Sequence, residues 1–179
     1  MEYLTLNNGI QASGIDRKEL FLVTKVNFKS YENAESTVLQ SLQNLQTDYM
    51  DLLLLHWPFA NYYAAWRSLE KLYADGKIRA IGVSNFEPDQ LLDLIAYNNI
   101  VPAVNQIETN LYCQRSTERT WMDQKIPRST QPEHIRENFA LFDFTLAPDE
   151  LSQLSALDKK EPLIGKPETP ELVEFSLTW

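Results

Sequence analysis

The chain has 179 residues, of which 44% are hydrophobic and 11% aromatic, and its formal net charge at pH 7 is −9. This composition is typical of a globular domain, and the acidic balance argues against nucleic-acid and anionic-membrane partners, which bind clustered lysine and arginine. Its single cysteine, Cys113, excludes an internal disulfide, and no apolar run reaches the roughly 20 residues of a membrane span. Because no signal peptide is visible either, we expect a cytoplasmic protein.

Strands and helices alternate along the predicted secondary structure. Residues 3–10 alternate in polarity and turn at Asn8 and Gly9, which predicts a β-hairpin. Four short apolar stretches then predict buried strands at 21–24, 51–55, 78–83 and 101–104. Apolar spacing of three and four residues predicts helices at 32–46, 62–73, from 88 to the Asn98-Asn99 pair, 115–124, 132–142 and 148–157.

This alternation predicts an α/β fold of parallel βα units derived from the (β/α)8 TIM barrel. A complete barrel needs about 250 residues, and only four strands are clear here, so we expect an incomplete barrel with an N-terminal β-hairpin. Abrupt junctions near 11/12 and 124/125 mark where βα units are expected to be absent from a single domain spanning 1–179. The exposed strand edges of such a barrel predict self-association.

Polar residues follow each predicted strand, and the carboxyl ends of parallel strands meet at one rim, where barrels hold their chemistry. Together they suggest an active site, although each one alone also fits a structural role. Lys25 fits a solvated strand end, and His56 fits a satisfied core histidine. Ser84 and Asn85 fit a helix cap, and Gln106 fits an ordinary polar strand end. Two histidines and one cysteine without metal-ligand spacing predict no metal site.

Five motifs carry a family resemblance, and they run in order along the chain. They are LFLVTK (20–25), DYMDLLLLHWP (48–58), GKIRAIGVSNF (76–86), VNQIE (104–108) and IPRST (126–130). In these motifs the chain resembles the aldo-keto reductases, most closely the small prokaryotic type that includes diketogulonate and glyoxal reductases. The resemblance implies reduction of a small carbonyl substrate, an aldehyde or a ketone, by hydride transfer from NADPH.

The resemblance also implies roles for individual residues. Lys25 lowers the pKa of a tyrosine acid, His56 orients the substrate carbonyl, and Trp57 lines the substrate pocket. The residues implied to hold the nicotinamide carboxamide are Ser84, Asn85 and Gln106. Those implied to bind the 2′-phosphate and the adenosine are Arg128, Ser129, Thr130, His134, Glu137 and Asn138. The family usually has arginine where His134 stands, and Arg128 to Thr130 also fit a helix N-cap with a surface arginine.

One departure from the family pattern leaves two hypotheses open. The family's catalytic aspartate and tyrosine lie in an Asp-x-Ala-x-x-Tyr-like block, which is absent here and whose place falls at the 11/12 junction. A positioned acid typically contributes about 10²–10⁴ in rate. The first hypothesis is an NADPH-dependent aldo-keto reductase by descent. The alternative is a catalytically inactive deletion product that acts at most as a nucleotide-binding or interaction module.

Overall fold

A computed structural model of the protein describes residue 10 and residues 12–125, 146–163 and 169–177. The chain forms two compact units, Met1–Gln106 and Ile107–Trp179. The hairpin predicted ahead of residue 10 and the helix predicted at 132–142 lie outside the described residues. Within those residues, no helix is long and apolar enough to cross a membrane.

The first unit contains a parallel sheet of four strands in the order β1-β2-β3-β4, with a helix between successive strands. The strands are β1 (Val23–Val26), β2 (Leu52–Leu55), β3 (Ile81–Ser84) and β4 (Asn105–Gln106). The helices are α1 (Ala34–Leu45), α2 (Tyr62–Ala74) and α3 (Pro88–Tyr97). The predicted α/β class, built from parallel βα units, is therefore confirmed.

Three strands lie further along the chain than predicted, and one of them is β3, which was predicted at 78–83 and forms at Ile81–Ser84. Phe21 is 67% exposed and β1 begins only at Val23, so Lys25 is a residue of the strand and does not follow it. The fourth strand was predicted at 101–104, where Pro102 has no N–H to donate to a neighbouring strand. The observed strand β4 is Asn105–Gln106. Apolar content alone cannot place a short strand, because the strand is defined by its hydrogen bonds to a neighbour.

The helices pack on the sheet through one apolar face each, as the spacing predicted. On α2 the fully buried side chains include Trp66, Leu69 and Leu72, which are at most 1% exposed. Tyr73, next to Leu72 on α2, is 43% exposed, and Leu92, next to the buried Leu91 on α3, is 49% exposed. Successive helical residues point about 100° apart, so a neighbour of a buried residue turns towards solvent.

A cluster of charges fixes the amino-terminal end of the sheet. The Asp51 side chain is 3% exposed and pairs with Arg17 at 2.8 Å and Arg79 at 3.1 Å. It also accepts a hydrogen bond from the Leu22 N–H at 2.9 Å. The two guanidinium groups lie over the Tyr49 ring, each 4.0 Å from its centroid. In this way the cluster joins the chain ahead of β1 to β2 and to the segment before β3.

The second unit contains helices α4 (Ser116–Lys125), α5 (Pro148–Ser155) and α6 (Pro170–Leu177). Of these, α4 and α5 confirm predicted helices, and α6 was not predicted. Leu151 and Leu157, predicted to share an apolar face, are 50% and 40% exposed, and Leu157 lies beyond the end of α5. Asp158 Oδ1 accepts hydrogen bonds from the backbone N–H groups of Gln114 and Lys160, which ties the end of this helical segment to the turn before α4.

Candidate active site

The strand register brings the predicted catalytic residues to one face of the sheet. Lys25 pairs with Leu54, and Leu54 pairs with Gly82, so these three residues point to the same side. Ser84 lies two residues beyond Gly82 and therefore shares this face. His56 follows β2 and continues the ladder, since its N–H donates to the Val26 carbonyl at 3.1 Å. We call this side the catalytic face.

A glycine gives Leu54 room on the catalytic face. A Cβ atom at Gly82 would lie 2.6 Å from Leu54 Cδ2 and 2.7 Å from the Val104 carbonyl oxygen. Real Cβ atoms do not come so close, so a side chain here would push both neighbours away from the strand. The absence of a side chain therefore lets Leu54 keep its place in the row that also contains Lys25, and Ser84 lies one row further along.

Lys25 and Ser84 are the centre of a polar network at the carboxyl ends of the strands. Lys25 Nζ lies 3.4 Å from Ser84 Oγ, and the Ser84 hydroxyl donates to the Gln106 carbonyl at 3.1 Å. Burial lowers the pKa of the half-buried Lys25 amine. Within the described residues, Lys25 pairs with no carboxylate and hydrogen-bonds no tyrosine.

Asn85 leaves β3 in a left-handed conformation, with φ at +62°, which asparagine tolerates better than most residues. Its Nδ2 donates to the His56 carbonyl at 3.0 Å and to Ser84 Oγ at 3.2 Å, and its N–H donates to the Gln106 carbonyl at 2.9 Å. Asn85 therefore ties the ends of β2 and β4 to β3. The cofactor contact that the family resemblance implies for Asn85 stays a prediction.

His56 occupies a half-buried position beside a cation. Burial is the larger cause that lowers the pKa of His56, and the charge of Lys25 lowers it further. The ring is therefore neutral at pH 7, and a neutral imidazole has one N–H to donate and one nitrogen to accept. Such a group can hold a carbonyl oxygen without itself carrying charge.

Trp57 is held by a tyrosine that the sequence analysis had not singled out for the site. The Tyr31 hydroxyl donates to the Trp57 carbonyl at 2.7 Å and accepts from the Trp57 N–H at 3.2 Å. Tyr31 is 1% exposed, and burial raises its pKa above the usual range. The Trp57 ring stacks on Phe59 with centroids 5.4 Å apart, which gives the site an aromatic wall. No sequence signal distinguishes Tyr31 from an ordinary core tyrosine.

The residues predicted for the cofactor divide into two groups. Ser84, Asn85 and Gln106 come together at the strand ends, whereas the phosphate and adenosine residues lie outside the described part of the chain. The residues outside the described part of the chain are Arg128, Ser129, Thr130, His134, Glu137 and Asn138. Gln106 has an exposed side chain with a free amide donor and acceptor among the described residues, and a nicotinamide carboxamide needs such a pair. The donor set present at the strand ends thus fits the nicotinamide end of the cofactor.

A second amide side chain belongs to Asn105, the other residue of β4. Its Nδ2 donates to the Phe86 carbonyl at 2.8 Å, and its Oδ1 accepts from the Phe86 N–H at 3.4 Å. It therefore holds the turn that follows Asn85. An amide directly after an apolar stretch was the available signal, but it did not separate this role from a solvent-facing one.

Comparisons with known proteins agree with this geometry. The sequence model of the aldo/keto reductase family matches residues 4–123. Glyoxal reductase from Bacillus subtilis (strain 168) is 34% identical over 210 residues, covering 89% of this chain and 76% of the relative. Among solved structures, the aldo-keto reductase MGS-M4 from a Medee basin deep-sea metagenome library is 26% identical with a TM-score of 0.77, covering 93% of this chain and 82% of that one.

A second solved structure shows the same fold at lower identity. The Bombyx mori aldo-keto reductase in complex with NADP is 23% identical with a TM-score of 0.76, covering 91% of this chain and 77% of that chain. These neighbours are (β/α)8 barrels, and the four parallel βα strands of this chain form part of such a barrel. The predicted barrel-derived fold is therefore confirmed.

Proposed function

Since this chain belongs to the aldo/keto reductase family, we propose that it binds NADPH and reduces the carbonyl group of small aldehydes and ketones. The observation that carries this proposal is the catalytic face, where the strand register gathers Lys25, His56 and Ser84 beside Gln106. Glyoxal reductase is a relative, so small α-oxoaldehydes are the first substrates to test. NADPH, when bound, supplies the hydride.

Different residues are proposed to orient the substrate, to stabilise the developing charge and to bind the cofactor. The neutral His56 ring donates a hydrogen bond to the carbonyl oxygen of the substrate, and the Lys25 cation stabilises the negative charge that grows there. The Gln106 side chain and Asn85 Oδ1 hydrogen-bond the nicotinamide carboxamide. The Trp57 ring packs against the substrate as an apolar surface. Arg128, Ser129 and Thr130 remain proposed for the 2′-phosphate, and His134, Glu137 and Asn138 for the adenosine.

Among the described residues, no side chain is assigned to donate the proton that the carbonyl oxygen needs. The Tyr31 hydroxyl is buried and donates to the Trp57 backbone, so it does not serve as the acid. The match to glyoxal reductase extends over 210 residues, more than the 179 of this chain, so the relative carries residues without a counterpart here. This supports internal omissions at the 11/12 and 124/125 junctions. We therefore propose turnover slower than that of complete family members by about 10²–10⁴.

The test is NADPH binding followed by turnover of glyoxal and methylglyoxal. Quenching of protein fluorescence gives the Kd for NADPH, and Gln106→Ala should weaken it about tenfold by removing hydrogen bonds to the carboxamide. Gln43→Ala, an exposed glutamine on α1, is the matched control and should leave the Kd unchanged. Absence of binding at millimolar NADPH would show that the proposed function is wrong.

The alternative function is a nucleotide-binding module without catalysis. It is favoured by one observation, the lack of any tyrosine or carboxylate partner for Lys25 among the described residues. Binding of NADPH without loss of its absorbance in the presence of either aldehyde would support this alternative. Slow loss of absorbance that depends on His56 would support the reductase.

A further inference from the structure

The surroundings of Lys25 differ from those of an ordinary surface lysine. Lys71 Nζ donates to Glu35 at 2.6 Å, and this hydrogen bond is the main cause that raises the pKa of Lys71. Lys25 Nζ instead contacts the neutral Ser84 hydroxyl at 3.4 Å, and burial lowers its pKa. A larger fraction of Lys25 than of Lys71 is therefore the uncharged amine at neutral pH, and only the uncharged amine has a lone pair that can attack a carbonyl.

The groups around Lys25 can give and take the protons that move when an amine attacks a carbonyl. Ser84 and His56 lie on the same face, one row beyond Lys25, and the His56 ring is neutral at pH 7. A hydroxyl and a neutral imidazole can each accept and donate a proton. Lys25 is half-buried, so part of the residue is exposed to solvent.

We propose that Lys25 is a nucleophilic amine that condenses with small aldehydes to form an imine. The amine nitrogen forms a bond to the carbonyl carbon, and one proton passes from the nitrogen to the carbonyl oxygen to give a carbinolamine. The second proton of the nitrogen then passes to the hydroxyl oxygen, the carbon–oxygen bond breaks, water leaves, and a carbon–nitrogen double bond remains. Nothing is oxidised or reduced in this step. The proposal shares its aldehyde substrates with the reductase function but does not require NADPH.

Reductive trapping tests the proposal on the full chain. The protein is incubated with propanal and sodium cyanoborohydride at neutral pH without NADPH, and alkylation of each lysine is followed by peptide mass mapping. We expect Lys25 to be alkylated several-fold faster than Lys71 and faster than the exposed Lys29. Ser84→Ala should slow alkylation of Lys25, because one proton-transfer partner is lost. Equal rates at Lys25, Lys29 and Lys71 would overturn the proposal.

Two variants separate this chemistry from misfolding and from the reductase function. Lys25→Arg keeps a cation but cannot form an imine, so the fast phase of alkylation should disappear while the circular dichroism spectrum stays unchanged. Lys29→Ala removes an exposed lysine a few residues away and should leave the fast phase intact. A fast phase that survives in Lys25→Arg would also overturn the proposal. Because the trapping experiment contains no NADPH, its result does not depend on whether the protein binds NADPH.

Discussion

At the scale of single residues, the hydroxyl of Tyr31 decides where Trp57 and the preceding His56 lie. It is the one side chain among the described residues that contacts both the carbonyl and the N–H of Trp57. These two hydrogen bonds hold the peptide groups on both sides of the Trp57 Cα, and a buried hydroxyl that makes them restricts the backbone more than apolar packing does. Through Trp57, Tyr31 therefore helps to position His56, which is proposed to orient the substrate carbonyl.

We expect Tyr31→Phe to lower the free energy of unfolding by about 1–3 kcal/mol, because the polar groups of Trp57 lose their partner in a buried place. Urea denaturation measures this change. Tyr73→Phe removes an exposed hydroxyl from α2 and should change the stability by less than about 0.5 kcal/mol. Equal effects of the two substitutions would contradict the role given to Tyr31.

The lowered pKa of His56 makes the stability of the protein depend on pH, and the direction of the pKa shift gives the direction of that dependence. Burial and the Lys25 charge lower its pKa below the usual 6.5, so the unfolded state binds its proton more tightly than the folded state does. This contribution to stability is complete above pH 6.5 and is lost as the pH falls towards the folded-state pKa. Urea denaturation at about pH 7.5 and about pH 5.5 should show a smaller decrease for His56→Gln than for the unsubstituted protein.

The chain's other histidine is the natural control. His134→Gln removes the second histidine and leaves His56 in place, so this variant should keep the decrease in stability between the two pH values. A decrease that is the same in His56→Gln and in the unsubstituted protein would mean that His56 is not the group responsible.

At the scale of elements, the two ends of the sheet are built differently. The carboxyl end carries neutral and cationic groups joined by hydrogen bonds without a carboxylate, as the Lys25 to Ser84 contact shows. The amino end carries Asp51, whose buried carboxylate binds two arginines and a backbone N–H. An ionic cluster at one end and a half-buried polar network at the other suit a barrel, in which stability and chemistry occupy opposite faces.

Asp51→Asn should lower the free energy of unfolding by about 3–5 kcal/mol, because it leaves the partly buried Arg17 without its counter-charge. Thermal unfolding measures the loss. The matched substitution Glu35→Gln breaks an ion pair between α1 and α2 that is exposed to solvent, and it should change stability little. The prediction is wrong if the two substitutions have the same effect.

At the scale of the whole molecule, the sheet formed by the described residues has an open edge at β1. β1 is an edge strand of the sheet among the described residues, and its first residue, Val23, is 47% exposed. A closed barrel has no such edge, because its first strand pairs with its last. An unpaired edge with an exposed apolar residue is a template for pairing with another copy.

We therefore expect the protein to self-associate in a concentration-dependent way through β1. Light scattering coupled to size exclusion should show a mass that rises with loading concentration. Val23→Lys should return the mass to that of a monomer, because lysine on an edge strand discourages pairing. Tyr97→Lys changes a 75% exposed residue on α3 and serves as the control. A monomer at every concentration would contradict the prediction.

The sequence by itself determined the α/β class, the helices α1 to α5 and the set of polar residues at the strand ends. Those features follow from local causes, namely apolar periodicity, helix starts at Pro88 and Pro148, and motif order. Only the tertiary structure decided that Lys25 lies inside β1, that Asn85 joins three strands and that Tyr31 clamps Trp57. Each of these depends on hydrogen bonds between residues distant in sequence, and local pattern carries no information about such partners.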